Sequence, residues 1–341
     1  MMSPVDTARL DAARAALDAI PRVHLGVWPT KVSQFAGLDA PCAERIWVKR
    51  EDLASPLYGG NKVRKLELLL ASGGGPVVAF GGLGSHHVLA TAVHAAALGR
   101  ECYGVVAEQP MIDHTAAVLA LNARECAGLV RWRRPFAALD ALRRLASNAA
   151  TGANRGPTLP RVLFPGGSSP LGTLGWVGGG LELAGQIASS ACPAPDEIYV
   201  AYGSGGTAVG LALGLALAGV PCDVVAVRVA TRLSGNRRYA ELLARRTFSL
   251  LADRADLGPM PELRLQIEHG FAGAGYGHPT AEAEAAVRLA AASNVPLEPT
   301  YTGKALAALL AAARGGRDGR TRMFLDTYCS IDNLETARTP E

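Results

Sequence analysis

The sequence has no apolar run long enough to form a membrane-spanning helix. Its longest run, residues 209–220, covers 12 residues, whereas a helix needs about 20 apolar residues to cross a bilayer. We interpret this run as a buried helix. No targeting signal is visible at the N-terminus, because residues 3–20 mix Asp, Arg and Ala with Leu at the spacing of an amphipathic helix. We expect a cytoplasmic protein with no membrane partner.

The sequence also lacks the paired cysteine spacing of a metal or redox site. Its six cysteines include no CxxC pair, which is typical of reduced, structural thiols in a cytoplasm. The histidines His86, His87 and His94 lie close together in the sequence, but no carboxylate or cysteine completes a ligand set. We therefore expect no metal. The cysteines are Cys42, Cys102, Cys126, Cys192, Cys222 and Cys329.

Neither sign of charge is concentrated. The chain has 34 Lys and Arg against 30 Asp and Glu, a net charge of +4 over 341 residues. The arginine pairs are scattered along the chain, as expected for solvated helix faces. Because nucleic-acid binding requires a clustered basic surface, we expect no nucleic-acid partner.

Strand-like and helix-like segments alternate over a chain long enough for two domains. This order predicts an α/β fold with parallel sheets and crossover helices. The strand candidates are residues 46–48, 77–80, 102–106, 162–164, 197–201, 224–229 and 323–326. Glycine-rich punctuation at 72–75 and 152–157 predicts a smaller α/β domain, residues 73–165, inserted into a larger one formed by residues 1–72 and 166–341.

Residues 58–67 place a lysine at an unusual position. Gly59 and Gly60 permit backbone angles that other residues avoid, and Asn61 is predicted to cap a helix whose first turn contains Lys62. The helix dipole disfavours a cation there, which lowers the lysine pKa and lets a neutral amine bond to an aldehyde. The alternative is that Lys62 is one of three basic residues on a solvated helix face.

A glycine-rich loop follows the strand candidate 197–201 and precedes an apolar helix. Strand, glycine loop and helix form the arrangement that binds a phosphate on backbone N–H groups. The loop is not a Walker motif, and the next strand carries Arg228 and Arg232 where a dinucleotide site needs an acidic residue. A reactive lysine and a phosphate site indicate one ligand with an aldehyde and a phosphate, and we predict pyridoxal phosphate. The loop residues are Gly203, Ser204, Gly205, Gly206 and Thr207.

Further motifs follow in order along nearly the whole chain. They are Pro21-Arg22-Val23-His24-Leu25, Val48-Lys49-Arg50-Glu51-Asp52-Leu53, Gly59-Gly60-Asn61-Lys62-x-Arg64-Lys65-Leu66-Glu67, Gly166-Gly167-Ser168, Gly275-Tyr276-Gly277-x-Pro279-Thr280 and Tyr301-Thr302-Gly303-Lys304-Ala305. Through them the chain resembles the pyridoxal-phosphate enzymes that include D-cysteine desulfhydrase and 1-aminocyclopropane-1-carboxylate (ACC) deaminase. The resemblance implies PLP fold type II (tryptophan synthase β-like). It also implies two open parallel-sheet domains, the cofactor in the crevice between them, and a homodimer.

The resemblance also implies which side chains hold the cofactor. Lys62 would bond to the cofactor aldehyde and, once freed by the substrate, take the α-proton as general base. Asn61 and His86 would contact the cofactor, although family members usually have Asn at the position of His86. The loop 203–207 would hold the phosphate. Thr327 would hydrogen-bond to the pyridine nitrogen, with the adjacent Asp326 as the open alternative.

Three side chains are implied on the substrate side, and a fourth position, Thr302, bears on the subtype. Ser85 would bind the substrate carboxylate at a helix start, where it is equally predicted as an N-cap. Tyr276 and Tyr301 would reach the leaving group or the far end of the substrate. Thr302 stands where ring-opening deaminases of the family usually have Glu and desulfhydrase-like members usually have Thr.

A hydroxyl at the pyridine nitrogen makes the ring a weaker electron sink than a carboxylate would, which favours prompt loss of a β-group. We expect a lyase that performs α,β-elimination on a small amino acid and gives a keto acid and ammonia. The alternatives are a β-replacement synthase, an ACC deaminase, a non-catalytic relative and, more distantly, a nucleotide-binding oxidoreductase. Arg228 or Arg232 would meet a second anionic group on the substrate, and Tyr328 and Cys329 would lie near the cofactor.

Overall fold

The computed structural model describes residues 7–36, 43–132, 160–231, 235–315 and 319–329. The helices in these ranges are α1 (Thr7–Asp18), α2 (Lys62–Leu69), α3 (His86–Ala97), α4 (Asp113–Glu125), α5 (Pro170–Ala188), α6 (Gly206–Leu217), α7 (Arg237–Ala252), α8 (Ala281–Ala291) and α9 (Thr302–Gly315). The strands are β1 (Val32–Gln34), β2 (Ile46–Arg50), β3 (Val77–Gly82), β4 (Cys102–Ala107), β5 (Gly128–Trp132), β6 (Arg161–Leu163), β7 (Glu197–Tyr202), β8 (Asp223–Arg228), β9 (Leu265–Glu268) and β10 (Arg322–Asp326). None of these helices is long and apolar enough to span a bilayer.

The strands of the described ranges form two sheets. The larger sheet has the order β1-β2-β10-β7-β8-β9, and its pairs are parallel except β1 with β2. The smaller sheet has the order β5-β4-β3-β6 and is parallel throughout. Its strands run from Val77 to Leu163, within the segment expected to form the inserted domain. The boundaries at residues 73 and 165 remain a prediction.

Apolar side chains cover both faces of the larger sheet. Neighbouring residues of β10 point to opposite faces, as the pleat of a strand requires. Leu325 packs in the same core cluster as Trp176 of α5, and Phe324 packs with Leu309 of α9. The smaller sheet has its own cluster, in which Leu89 of α3 is fully buried. Each sheet therefore has its own packed core, and these cores fix the positions of the strand ends.

Each of the seven strand candidates corresponds to a strand, and the apolar run 209–220 lies mainly in the buried helix α6. Three strands were missed: β1, β5 and β9. All three lie at the edge of a sheet, and the fourth edge strand, β6, was the only one of its kind identified among the described strands. An edge strand is solvated on one side, so its sequence does not have the continuous apolar run of a central parallel strand.

Candidate active site

A cavity of about 470 Å³ lies where the strands of both sheets end. Its wall includes Gly82 of β3, Ala107 of β4 and Ala201 of β7, together with Thr327, which follows β10. Parallel strands bring their carboxyl ends to one edge, and ligands of open α/β sheets bind at that edge. The cavity is therefore the candidate active site.

Lys62 lines this cavity as the first residue of α2. The turn before it needs glycine at two positions. Gly60 has φ +84°, and a side chain at Gly59 would come within 2.0 Å of the Asp52 carbonyl oxygen. The alternative of a solvated basic face is wrong, because Arg64 and Lys65 are buried, with exposures of 5% and 2%.

The Lys62 amine is held by an amide rather than by a carboxylate. Its Nζ donates to Asn61 Oδ1 at 2.7 Å, and Asn61 Nδ2 donates to Thr207 Oγ1 at 2.8 Å. Asn61 makes no capping hydrogen bond, so its predicted N-cap role is wrong: its side chain bridges two parts of the site. Burial lowers the pKa of Lys62 to about 8, although the charge of Glu298 opposes the shift.

The rate at which the protein captures an aldehyde should therefore rise with pH around pH 8. Only the neutral amine attacks a carbonyl, and the Lys62 amine loses its proton above its pKa of about 8. Mixing the cofactor-free protein with pyridoxal between pH 6 and 10 and following the absorbance change checks this. A midpoint near 10.4, the ordinary lysine value, would contradict the role of burial.

The glycine loop 203–207 connects β7 to α6 and is the candidate anion site. Gly205 has φ +86°, and a side chain there would come within 2.8 Å of Tyr202 Oη. Ser168 Oγ lies 2.7 Å from Ser204 Oγ and accepts from the Gly206 backbone N–H at 3.1 Å. Hydroxyls and backbone N–H groups at a helix N-terminus are the groups that bind a phosphate.

Lys65 belongs to the same anion site and was missed in the sequence. Its Nζ donates to the Gly166 carbonyl oxygen at 2.9 Å and to Ser168 Oγ at 3.1 Å. Burial and the charge of Lys62 hold the pKa of Lys65 well below its ordinary value, so an anion bound here would favour its charged form. The available signal was its spacing: a residue three positions after Lys62 lies on the same face of α2.

Two tyrosines from distant loops meet at the cavity. The hydroxyls of Tyr276 and Tyr301 share a hydrogen bond, and their rings pack edge to face with centroids 5.9 Å apart. Glu298 orders this corner by accepting from the backbone N–H groups of Tyr301 and Thr302, at 2.7 and 2.8 Å. Burial raises the pKa of both tyrosines, so the hydroxyls remain protonated at neutral pH.

Ser85 lies at the N-terminus of α3 and also lines the cavity. Its Oγ accepts from the Val88 backbone N–H at 3.4 Å, the capping bond. Gly81 leaves room for this side chain, since a Cβ there would come within 2.3 Å of Ser85 Oγ. The N-cap prediction is confirmed, and the position remains open to a carboxylate in the cavity.

Thr327 and Asp326, the two candidate partners of the pyridine nitrogen, differ in their position at the end of β10. Thr327 lines the cavity, whereas Asp326 is not among the cavity residues. The Asp326 carboxylate accepts from the Tyr328 N–H at 3.2 Å and lies 3.9 Å from Arg50. Burial and the nearby Asp52 hold the pKa of Asp326 well above its ordinary value. Of the two residues, Thr327 is the one that borders the cavity, and its contact with a ligand remains a prediction.

The predicted arginine contact is not formed by Arg228. Its side chain donates to His269 Nδ1 at 2.8 Å and to the Ala230 carbonyl oxygen at 2.7 Å, and it does not line the cavity. His269 directly follows the neighbouring strand β9, and Ala230 lies two residues after Arg228 in the chain. Arg232 lies outside the described residues.

Most of the remaining predicted site residues line the same cavity. His86 does so, with its ring nitrogens bonded to Tyr58 and His114. Gly206 lies behind the wall, where its N–H binds Ser168. The residues on the wall are Asn61, Lys62, Ser85, His86, Gly203, Ser204, Gly205, Thr207, Tyr276, Tyr301, Thr302, Thr327, Tyr328 and Cys329. Their individual roles remain predictions.

Comparison with known proteins points to the same chemistry. D-cysteine desulfhydrase of Klebsiella pneumoniae subsp. pneumoniae is 32% identical over 86% of this chain and 89% of that protein. Nocardicin C-9' epimerase of Nocardia uniformis subsp. tsuyamanensis is 36% identical over 91% and 93%. A solved structure described as an ACC deaminase homologue has a TM-score of 0.75 and 28% identity, covering 98% of this chain and 100% of that one.

These similarities extend over nearly the whole chain, and the site has the parts that one cofactor requires. A family model described as pyridoxal-phosphate dependent enzyme matches residues 23–325. That range contains Lys62, with its lowered pKa, and the glycine loop 203–207. An amine for the aldehyde and an anion site for the phosphate thus lie in one cavity at the strand ends, and the chain belongs to the pyridoxal-phosphate dependent enzymes of fold type II.

Proposed function

We propose that this protein is a pyridoxal-phosphate lyase that performs α,β-elimination on a small amino acid, giving a keto acid and ammonia, in the manner of a D-cysteine desulfhydrase. The observation that carries the proposal is the shared cavity of Lys62, the glycine loop and Thr327. The first two suit the cofactor, and the hydroxyl suits elimination. The desulfhydrase relative supports the substrate class.

The residues present fit the cofactor. The loop 203–207 turns at Gly205, where a side chain would collide with Tyr202, and Lys65 and Ser168 add an amine and a hydroxyl beside its backbone N–H groups. Lys62 would hold the aldehyde end, and Thr327 the pyridine nitrogen. When bound, pyridoxal phosphate supplies an electron-withdrawing ring that makes the Cα–H bond of an attached amino acid acidic.

Side chains of the cavity would remove the Cα proton, bind the substrate carboxylate and contact the departing β-group. Lys62, a free amine above its pKa of about 8, removes the Cα proton. Ser85 and the N-terminus of α3 bind the substrate carboxylate. Tyr276 and Tyr301 keep their protons because burial raises the pKa of each, so this pair can donate a hydrogen bond to the departing β-group.

A second candidate is epimerisation at Cα. The relative with 36% identity is named an epimerase, and epimerisation begins with the same proton removal. It differs in that a proton returns to Cα from the other side while the β-group stays. The protonated hydroxyl pair Tyr276 and Tyr301 lies in the same cavity as Lys62, so a second proton donor is available.

Incubation in D₂O separates these activities. The protein loaded with pyridoxal phosphate would be given D- and L-cysteine, L-cysteate, ACC, and D- and L-alanine, which lacks a leaving group. Keto acid, ammonia and sulfide from one cysteine enantiomer are expected. Inversion with deuterium at Cα and no keto acid would support epimerisation instead. Formation of an adduct with an added thiol would indicate β-replacement, and keto acid from ACC alone would indicate ring opening.

Replacing Lys65 by methionine should weaken pyridoxal phosphate binding by at least about tenfold, since a charged hydrogen bond contributes about 1.5–3 kcal/mol. The same variant should bind pyridoxal, which lacks the phosphate, as well as the unchanged protein does. Equilibrium dialysis of both vitamers measures the two affinities. Equal weakening for both vitamers would place Lys65 elsewhere in the site.

We also propose a cytoplasmic homodimer. The family resemblance suggests the dimer, and large apolar side chains such as Val27 and Phe164 are 65% and 63% exposed. The cysteines that the structure describes are buried and form no disulfide with one another, which suits a reducing compartment. Light scattering of the purified protein tests the assembly, and a monomer at micromolar concentration would overturn it.

A further inference from the structure

Three proton-bearing side chains form a continuous hydrogen-bonded chain beside the cavity. Tyr58 Oη lies 2.5 Å from His86 Nδ1, and His86 Nε2 lies 2.9 Å from His114 Nε2. Tyr58 and His86 line the cavity, whereas His114, in the first turn of α4, lies outside the wall and is partly exposed. The chain thus connects the cavity with a residue that water reaches.

The rings are oriented for hydrogen bonding along their edges. The planes of Tyr58 and His86 differ by 17° and those of His86 and His114 by 25°, with centroids 6.3 and 5.1 Å apart. An imidazole nitrogen donates and accepts in the plane of its ring, so near-parallel planes with nitrogens in contact place the lone pairs in line. The Tyr328 ring packs edge-on against His86 at 5.2 Å and holds it in place.

Burial favours the neutral form of both imidazoles, the form in which each ring can donate and accept. It lowers the pKa of His86 well below its ordinary value, and a positive charge on His114 or Lys62 would lower that pKa further. Burial also lowers the pKa of His114, against the charge of Glu298. A neutral imidazole has one donor and one acceptor nitrogen, so the chain has two arrangements that differ in the direction in which every hydrogen bond points.

We propose that Tyr58, His86 and His114 form a proton relay that carries protons between solvent and the cavity independently of Lys62. To deliver a proton, Tyr58 Oη releases its own to a group in the cavity and takes the one on His86 Nδ1. His86 Nε2 then takes the proton on His114 Nε2, and His114 Nδ1 takes one from water. One proton enters, one leaves, and the same steps reversed remove a proton from the cavity.

The relay rests on the proposed function because elimination consumes a proton at the departing β-group while Lys62 holds the one taken from Cα. A supply that does not pass through Lys62 would let both events proceed together. The route depends on the imidazole at position 86, whose two ring nitrogens bond to Tyr58 and His114. His94 Nε2 bonds to the Tyr58 carbonyl oxygen at 2.9 Å and fixes the cavity end of the relay.

His114→Ala tests the relay in the holoenzyme with D-cysteine as the probe. We expect kcat to fall about 10²-fold, the lower end of what general acid–base catalysis supplies, and to recover as imidazole is added, because a diffusible imidazole replaces the missing ring. The control His24→Ala removes an exposed histidine and should show neither effect. Unchanged kcat in His114→Ala that is insensitive to imidazole overturns the relay.

A measurement without turnover separates the relay from the proposed function. Nitrogen NMR of the cofactor-free protein should show each of His86 Nε2 and His114 Nε2 averaging between protonated and bare forms. Tyr58→Phe, which removes one oxygen and keeps the ring, should shift both nitrogens toward one arrangement. If the two nitrogens show no averaging and their signals do not change in Tyr58→Phe, the relay is refuted even if keto acid forms. Averaging nitrogens in a protein that releases no keto acid refute the proposed lyase and leave the relay standing.

Discussion

Replacing Lys62 by alanine is expected to reduce amino-acid turnover by about 10³-fold or more. In our proposal Lys62 supplies both the amine that bonds to the cofactor aldehyde and the base that removes the Cα proton. The variant should also lose the covalent adduct that borohydride forms between cofactor and chain. Keto-acid release and mass spectrometry of the peptide that contains Lys62 measure the two effects separately.

A charge-preserving variant and a surface control test whether the neutral amine of Lys62 is what matters. Lys62→Arg keeps a cation but cannot lose a proton near neutral pH, so it should be as inactive as Lys62→Ala. Lys31→Ala removes an exposed lysine and should leave turnover unchanged to within about twofold, as surface substitutions usually do. If Lys62→Ala retains most of its turnover, the amine has a different role and the proposed mechanism is wrong.

Replacing Arg64 by methionine should lower the free energy of unfolding by about 3–5 kcal/mol, the usual result of breaking a buried ion pair on one side. Arg64 Nε donates to Glu51 Oε2 at 2.8 Å and Nη2 to Glu182 Oε1 at 2.8 Å, while its guanidinium lies 3.9 Å from the Trp28 ring centroid. Methionine fills the volume but leaves two carboxylates short of a partner. Chemical denaturation at pH 7 measures the loss.

The matched control is Arg237→Met. Arg237 also bonds to a glutamate, Glu241 at 2.8 Å, but its side chain is 73% exposed. Exposed pairs of this kind contribute little, so the loss should be at most about 0.5 kcal/mol. Similar losses for Arg64→Met and Arg237→Met would show that burial does not set the strength of the inner pair.

The same buried network predicts a loss of stability in acid. Burial raises the pKa of Glu182, but the charges of Arg64 and Lys49 outweigh it and bring that pKa below its ordinary value. A carboxylate with a lowered folded-state pKa stabilises the fold fully above its unfolded pKa of about 4.3 and progressively less as the pH falls below it. Denaturation between pH 7 and 3 should show this decline, and a weaker one in Arg64→Met.

Residues adjacent in the chain were predicted well where backbone geometry decides their role. Gly60 and Gly205 both have positive φ, and the turn and the loop around them were identified from the sequence because few residues other than glycine tolerate such angles. The central strands were recognisable for a similar reason: burial on both faces requires a continuous apolar run.

Partners distant in the sequence could not be predicted in this way. Asn61 was expected to cap its own helix, but its amide reaches Thr207 on the other side of the site. Arg228 was expected in the cavity, but His269 and the Ala230 carbonyl hold it outside. In both cases a polar contact with a residue distant in the sequence, Thr207 or His269, directs the side chain, and nothing in the neighbouring residues indicates that contact.

The amino-acid sequence by itself determined the α/β alternation, the turn that carries Lys62, the glycine loop after β7 and the cofactor, because each depends on residue types at short spacing. Only the tertiary structure decided which of Asp326 and Thr327 borders the cavity, that Lys65 bonds to Ser168 beside the glycine loop, and that Tyr58, His86 and His114 are hydrogen-bonded in a row. The physical reason is that burial and hydrogen bonding between distant segments exist only once the two sheets have packed, and these set both the pKa and the direction of each side chain.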